Sequence, residues 1–308
     1  SASEIIRQSM KFFAEYGMEN IFSNIVVPVT DPMQQQALLN YGGPQAGHNV
    51  VLEDGRHHKF SQFGSASFLP DVRTHLSEHM LVEPYAMVNE AEMFDRMIGR
   101  GKIFDRLTVD PLCPVITPYH WKLNQIRETA RGVDKHGSCG MGVGELRHFQ
   151  EMGWPTITAG EIGDYDRTLS KLREIKSLAF REVSHGTVKD REWIAADRSK
   201  TIAEFYQGFS KRMQLLSAFE LTQQLREEIS IFEGAQGVLL DEHYGFAPYN
   251  SWTDTTVRNA KRILIDAGVP HTIIGVVRTY FTRHGPGPFV SECEPTVEDR
   301  HNGTGQWQ

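Results

Sequence analysis

Residues 229–237, Ile229-Ser230-Ile231-Phe232-Glu233-Gly234-Ala235-Gln236-Gly237, decide the fold of this 308-residue chain. A mostly apolar run ends abruptly at Glu233 and gives way to two glycines that bracket an amide. That break reads as a buried strand opening into a loop whose backbone must approach a ligand closely. A lone Gly-x-x-Gly carries little weight, since a strand and an ordinary turn leave the same trace. Here the string runs on through Val238-Leu239-Leu240-Asp241, Tyr244-Gly245 and Pro248-Tyr249 into a Thr/Ser/Asp-rich tail ending at Thr255-Thr256. The Gln236 amide can donate and accept at once, which suits an oxo-heterocycle, and the hydroxyls after it suit a phosphate.

Outward from this stretch, helices and strands alternate. Apolar spacing predicts a helix within Ser1 to Gly17 and a short strand at Ile25 to Val29, followed by a turn at Asp31-Pro32. Asp54-Gly55, between Asn49–Leu52 and His58–Phe63, is the strongest hairpin signal. Helices are predicted over Ala86–Ile98, Trp121–Ala130, Asp166–Glu182, Ala203–Glu228 and Val257–Ala267, with a buried strand at Thr272–Val277. Val183 to Lys200 reads as a polar excursion. The alternation predicts an α/β fold with a large, mostly parallel central sheet flanked by helices, and ligands at the carboxyl ends of its strands.

Composition narrows the function classes. Hydrophobic residues make up 40% and charged residues 23%, ordinary for a globular protein. A net charge of -7 argues against a general nucleic-acid or anionic-membrane surface while leaving room for a local phosphate pocket. The three cysteines, Cys113, Cys139 and Cys293, have neither metal-ligand spacing nor an even framework, which fits a reducing, cytoplasmic setting. No apolar run has membrane-spanning length. His57-His58 and His301 have no metal-site spacing and are expected to be solvated loop residues.

Five blocks in one order resemble the adenylosuccinate synthetase family, the nucleotide-triphosphate-dependent ligases that join aspartate to a purine ring. Besides the Gln236 stretch they are Gly42-Gly43-Pro44-Gln45-Ala46-Gly47-His48-Asn49; Cys113-Pro114 through Tyr119-His120 to Ala130-Arg131-Gly132; Gly137-Ser138-Cys139-Gly140-Met141-Gly142-Val143-Gly144; and Thr282-Arg283-His284-Gly285-Pro286-Gly287-Pro288-Phe289. The resemblance implies a P-loop-NTPase-like architecture and a reaction in which the 6-oxo group of a purine nucleotide is phosphorylated before an amine displaces the phosphate. Such chemistry needs donors for charge on the phosphoryl group, an acid and base, and a clamp on the heterocycle.

On this resemblance His48 is the expected general acid and Gln236 the base clamp, the two catalytic positions. Gly47 would lend its carbonyl to Mg²⁺. Gln45, Ser138 and Cys139 would line the nucleotide phosphate, Ser251 the sugar-phosphate end, and Arg283 and Thr304 further substrate groups. A thiol donates weakly, so the backbone amides of Gly137 and Gly140 are alternatives to Cys139. Glu233 and Asp241 read as structural carboxylates fixing the loop.

The departures are equally informative. Pro44 replaces the motif's first histidine, Met141 an arginine, and Gln306 and Gln308 stand where the family's aspartate loop carries arginines that grip carboxylates. They point to a divergent branch, such as the phage enzymes that act on deoxyguanosine monophosphate. The expected ligands are a purine nucleoside monophosphate, GTP or ATP as phosphoryl donor, Mg²⁺ and an amino acid, aspartate. The alternatives are a ligase acting on dGMP or GMP or with another amine, a catalytically silent nucleotide-binding homologue, and a simple nucleotide kinase or P-loop hydrolase. Family members are homodimers that borrow an arginine from the partner; Arg147 lies closer to its motif than that arginine does. Residues 1–308 are expected to form a single synthetase domain incomplete at both ends, because neither a Gly-x-x-Gly-Lys-Gly loop nor a Thr-Lys-x-Asp segment occurs.

Overall fold

The computed structural model describes residues 25–28, 36–40, 44, 47–99, 103–183, 186–275 and 286–289, the first two segments as backbone. Seven strands form the main sheet: β1 (Ile25–Pro28), β2 (Gln36–Asn40), β5 (Arg73–Leu76), β6 (Leu107–Val109), β9 (Gln214–Leu215), β10 (Ile229–Glu233) and β11 (His271–Ile274). Their order is β11-β1-β10-β2-β5-β6-β9. From β10 to β9 every pairing is parallel, while β1 runs antiparallel to both β10 and β11. Two two-stranded ribbons complete the set, β3 (His48–Val51) with β4 (His57–Phe60), and β7 (Pro114–Val115) with β8 (Ile157–Thr158). The expected mostly parallel α/β sheet is present.

The described helices are α1 (Pro84–Ile98), α2 (Pro118–Ala130), α3 (Val143–Glu151), α4 (Tyr165–Glu182), α5 (Val188–Ala195), α6 (Ser199–Ser210), α7 (Ala218–Glu227) and α8 (Arg258–Ala267). Local chemistry starts and stops them. The Glu83 carboxylate accepts from the amides of Tyr85 and Ala86 at the head of α1, Pro84 occupies the first turn, and Gly99 closes the helix at φ 72°. Capping boxes open α5 (Thr187 with Asp190) and α7 (Ser217 with Glu220).

Strand β10 is buried at all five positions. Alternation sends its side chains to opposite faces. Phe232 packs with Leu221 and Leu225 of α7 and Ala260 and Leu264 of α8; Glu233, next in line, meets His48 on the other side. The larger core joins Phe60, Phe63, Leu76, Phe94, Tyr119 and Tyr206. The β3–β4 hairpin forms as expected about Asp54-Gly55, with Gly55 at φ 82° and its amide donating to the Leu52 carbonyl at 2.9 Å.

Four expectations are corrected. The stretch Ala203–Glu228 is two helices, because the chain leaves α6 to add Gln214–Leu215 to the sheet edge beside β6 and restarts at the Ser217 capping box. The polar excursion from Val183 contains α5, which buries Ile194. Strand β11 lies at the sheet edge, where Ile273 is 45% exposed, and is not buried. His57 and His58 belong to β4; His58 is buried against Phe60 and Phe94, and burial pushes its pKa down to about 4. The helix over residues 1–17, the Asp31-Pro32 turn and His301 lie outside the described residues.

Candidate active site

Four parallel strands, β10, β2, β5 and β6, deliver their carboxyl ends to one edge of the sheet, where Glu233 ends β10 and Gln236 follows it. His48 opens β3 directly after Gly47. Its Nδ1 lies 2.9 Å from Oε1 of Glu233, with the His48 side chain 11% and the Glu233 side chain 2% exposed. The same carboxylate accepts the Ser65 hydroxyl at 2.6 Å and the Ser65 amide at 3.1 Å. Nδ1 is therefore engaged, and Nε2 is the ring nitrogen left to meet a ligand.

Two opposing effects set the charge on this pair. Burial works against a charged imidazole, yet the adjacent Glu233 carboxylate outweighs it, and Glu90 adds to the same effect, so the His48 pKa is held above its ordinary value. Burial likewise disfavours ionised Glu233, but His48 and the two Ser65 donors hold its pKa below the ordinary carboxylate value. Both shifts favour the imidazolium–carboxylate form of the buried pair, in which Nε2–H can donate.

The loop 61–65 ties this pair to the scaffold. Glu90 of α1 accepts from the backbone amides of Ser61, Gln62 and Phe63 at 3.0 to 3.3 Å. Gly64 donates to Thr74 Oγ1 at 3.1 Å, and Ser65 turns to Glu233. Five consecutive amides thus find side-chain acceptors. Burial raises the Glu90 carboxyl to a pKa of about 7.

Gln236 follows Glu233 by three positions. It is the one described non-glycine residue with positive φ, at 60°, a conformation that costs a side-chain-bearing residue on the order of 1–2 kcal/mol. Its Oε1 is buried without a hydrogen-bond partner. A buried amide oxygen left unpaired on strained backbone is the sort of group a ligand completes.

The loop after Gln236 closes on Asp241. Asp241 Oδ1 accepts from the amides of His243 and Tyr244, and Oδ2 from that of Thr255 at 2.8 Å. Thr255 Oγ1 returns to the Gly237 carbonyl at 2.9 Å. Asp241 is the structural carboxylate expected, whereas Glu233 also positions His48. Within the closed loop the hydroxyls of Ser251 and Thr253 are 2.7 Å apart.

Ser138 and Cys139 are exposed on the loop between α2 and α3. The alternative donors are already committed: the Gly137 and Ser138 amides donate to Glu128 Oε1 at 2.7 and 3.0 Å, and the Gly140 amide to Ser138 Oγ at 3.2 Å. The Ser138 hydroxyl itself donates to Asn124 Oδ1 at 2.9 Å. The expected role for the Gly137 and Gly140 amides is corrected accordingly. Gly142, at φ 81°, lies where a Cβ would stand 2.6 Å from the Trp121 amide nitrogen, so the loop can seat on α2 only with glycine there.

Gly47 lies beneath the Lys59 side chain, whose Cε would be 2.1 Å from a Cβ at that position. Gln45, Arg283 and Thr304 lie outside the described residues. Among the described residues no group of three His, Cys, Asp or Glu side chains could hold a metal ion. Residue-by-residue reading gave no sign of Ser65, which reaches Glu233 from 168 positions away, or of Glu90, which holds backbone amides that have no signature in side-chain type.

A parallel α/β sheet whose carboxyl edge carries a carboxylate-held histidine and, close by in the chain, an amide oxygen without a partner forms the candidate site. The chain belongs to the adenylosuccinate synthetase family, whose model matches residues 31–306. An adenylosuccinate synthetase of Pseudomonas fluorescens is 32% identical over 265 residues, covering 83% of this chain and 59% of the relative. That of Nitrosococcus oceani is 29% identical over 262 residues, covering 82% and 58%. The chain thus spans less than two thirds of the length of the curated relatives it matches. The fully ligated adenylosuccinate synthetase of Plasmodium falciparum shares the fold, with a TM-score of 0.70 at 18% identity over 85% of this chain and 60% of that one. No helix among the described residues is long and apolar enough to cross a membrane.

Proposed function

We propose that this protein is a nucleotide-triphosphate-dependent carbon–nitrogen ligase that activates the 6-oxo group of a purine nucleoside monophosphate and condenses it with an amino acid, aspartate. The observation that carries this reading is Gln236, its backbone strained and its amide oxygen unpaired, three residues from the carboxylate that holds His48. Gln236 orients the purine by donating to its oxo oxygen and accepting from the ring N–H. The terminal phosphoryl of GTP or ATP moves to that oxygen as the ring N1 proton passes to solvent, releasing the nucleoside diphosphate. The amine of aspartate then adds at C6, the C6–O bond breaks, and inorganic phosphate leaves as the amine loses its proton.

His48, protonated through Glu233, donates from Nε2 to the phosphoryl oxygens in both steps and offsets their charge, a role worth roughly 10²–10⁴ in rate. Mg²⁺ would neutralise phosphoryl charge, with the Gly47 carbonyl as its protein ligand. Ser138, Cys139 and Ser251, with Gln45, Arg283 and Thr304, contact the substrates in this scheme. The chain acts as one synthetase unit within a cytoplasmic homodimer.

The test is phosphate release by the intact protein with Mg²⁺ and GTP or ATP across IMP, dGMP and GMP, each with and without aspartate, with products identified by mass. Aspartate-dependent release with a purine–succinate adduct supports the ligase and names its nucleotide. Failure to form an adduct in any pairing sinks it and favours a catalytically silent homologue.

A further inference from the structure

The Glu233 carboxylate at the end of β10 takes three donors from two residues. Oε1 accepts from His48 Nδ1 at 2.9 Å and from the Ser65 hydroxyl at 2.6 Å, and Oε2 accepts the Ser65 amide at 3.1 Å. Ser65 thus grips both oxygens, one with its side chain and one with its backbone, while His48 touches only one. The difference matters because the terminal torsion of a glutamate is broad and has no sharp staggered well to hold it. One bond from His48 leaves the carboxylate free to swing about its own axis. Two bonds from a single residue to its two oxygens fix that rotation.

Ser65 is itself firmly mounted. It is fully buried and opens a 3-10 turn over Ser65–Phe68. On the β5 side, Thr74 Oγ1 accepts the Gly64 amide at 3.1 Å and lies 3.3 Å from Ser67 Oγ. On the α1 side, Glu90 holds the amides of residues 61–63, and Gln62 exchanges two bonds with the backbone of Glu83. Its Nε2 donates to the Glu83 carbonyl at 3.0 Å and its Oε1 accepts the Glu83 amide at 2.8 Å. Helix α1 and strand β5 hold the turn, the turn holds the carboxylate, and the carboxylate holds the imidazole whose Nε2 is left for a ligand.

We propose that Ser65 is a positioning residue: its hydroxyl and amide together fix the rotation of Glu233 and, through it, the direction in which His48 Nε2 points. The inference rests on the ligase reading above, and Ser65 acts in it without touching substrate. A proton donor displaced by about 1 Å costs on the order of 10²-fold in rate.

The experiment compares the intact wild type with Ser65→Ala, which keeps the amide and loses the hydroxyl, and Ser65→Thr, which keeps both. Each is made alone and in a His48→Asn background. Turnover, nucleotide affinity and melting temperature are measured, and the His48 Nδ1 proton is followed by NMR on protein labelled at histidine. Ser65→Ala is expected to lower kcat about 10- to 100-fold with nucleotide affinity unchanged, Ser65→Thr to restore it, and neither to cost anything further once His48 is asparagine. The Nδ1 proton, slow to exchange with water in the wild type, exchanges faster in Ser65→Ala and not in Ser65→Thr. Should either variant fail to fold, Ser65→Cys replaces it; its weak donor gives a smaller loss, and an unmoved kcat there counts against the inference equally. A kcat unmoved by Ser65→Ala overturns the inference, as does an equal loss in both backgrounds; either leaves the ligase reading standing. A wild type that forms no purine–amino acid adduct removes the ligase reading, and the Nδ1 exchange then decides alone whether Ser65 holds His48.

Discussion

His48 Nδ1 and Glu233 Oε1 lie 2.9 Å apart, and the backbone that carries Glu233 goes on to place Gln236 three residues later. One strand end therefore fixes His48 and Gln236, the proposed proton donor and base clamp, relative to each other. Glu233→Gln is expected to leave the burial effect on His48 unopposed by its strongest counter-charge, so the imidazole loses its proton at lower pH. Because the His48 pKa is raised and that of Glu233 depressed, the pair's contribution is fully present between about pH 4.5 and 6.5. It is lost as pH rises through the folded His48 value or falls through the folded Glu233 value. A kcat/KM profile whose basic limb moves to lower pH in Glu233→Gln, with a matching shift in the imidazole NMR titration, is the expected result; an unmoved limb counts against the pairing.

His48→Asn should reduce ligase turnover about 10²- to 10⁴-fold while shifting the melting temperature little. Single-turnover rates, with nucleotide binding measured separately, distinguish a lost proton donor from a lost binding contact.

Gln236→Gly separates stability from recognition. Glycine accepts φ 60° without steric cost, so folding stability is expected to hold or rise by up to about 1 kcal/mol, offset by the added freedom of the unfolded chain. Purine binding should fall at least about 10-fold as the amide disappears. Urea titration and calorimetry on one preparation read both effects.

Glu90 has a folded pKa of about 7 against an ordinary 4.5, raised by burial. A raised carboxyl pKa contributes stability fully below about pH 4.5 that is lost as pH rises through about 7, on the order of 3 kcal/mol. Glu90→Gln should flatten that decline, seen as a smaller difference between denaturation midpoints at pH 4.5 and pH 8. An unchanged slope would place the titration elsewhere.

Gly142→Ala is expected to destabilise the protein by several kcal/mol, since the new methyl group would collide with the backbone of His120 and Trp121 on α2 at 2.6 to 2.9 Å while φ stays at 81°. Gly153→Ala, which has the same hand of backbone but open space around it, serves as the control and should cost only about 1 kcal/mol.

What the sequence exposed and what it hid divide along contact range. The buried run at Ile229–Glu233, its break at Gly234 and the Asp54-Gly55 turn are local patterns, and each forms where expected. Strands β6 and β9 are three and two residues long, too short for periodicity to register. Helix α3 hid behind the glycines that begin it. The link from Ser65 to Glu233 spans 168 positions, and that from Phe63 to Glu90 uses a backbone amide, so neither could be found by scanning residue types. Asn124 and Glu128 likewise look like ordinary residues of a helix until the 137–142 loop folds onto them.

That last arrangement bears on what a ligand would meet at this loop. With Glu128 holding two amides and Asn124 the Ser138 hydroxyl and the Gly142 amide, the loop is ordered before any substrate arrives. Its conformational entropy is surrendered during folding, not at the encounter. On the proposed reading, a substrate phosphate meets a loop already in place, so binding there carries little loop-ordering cost.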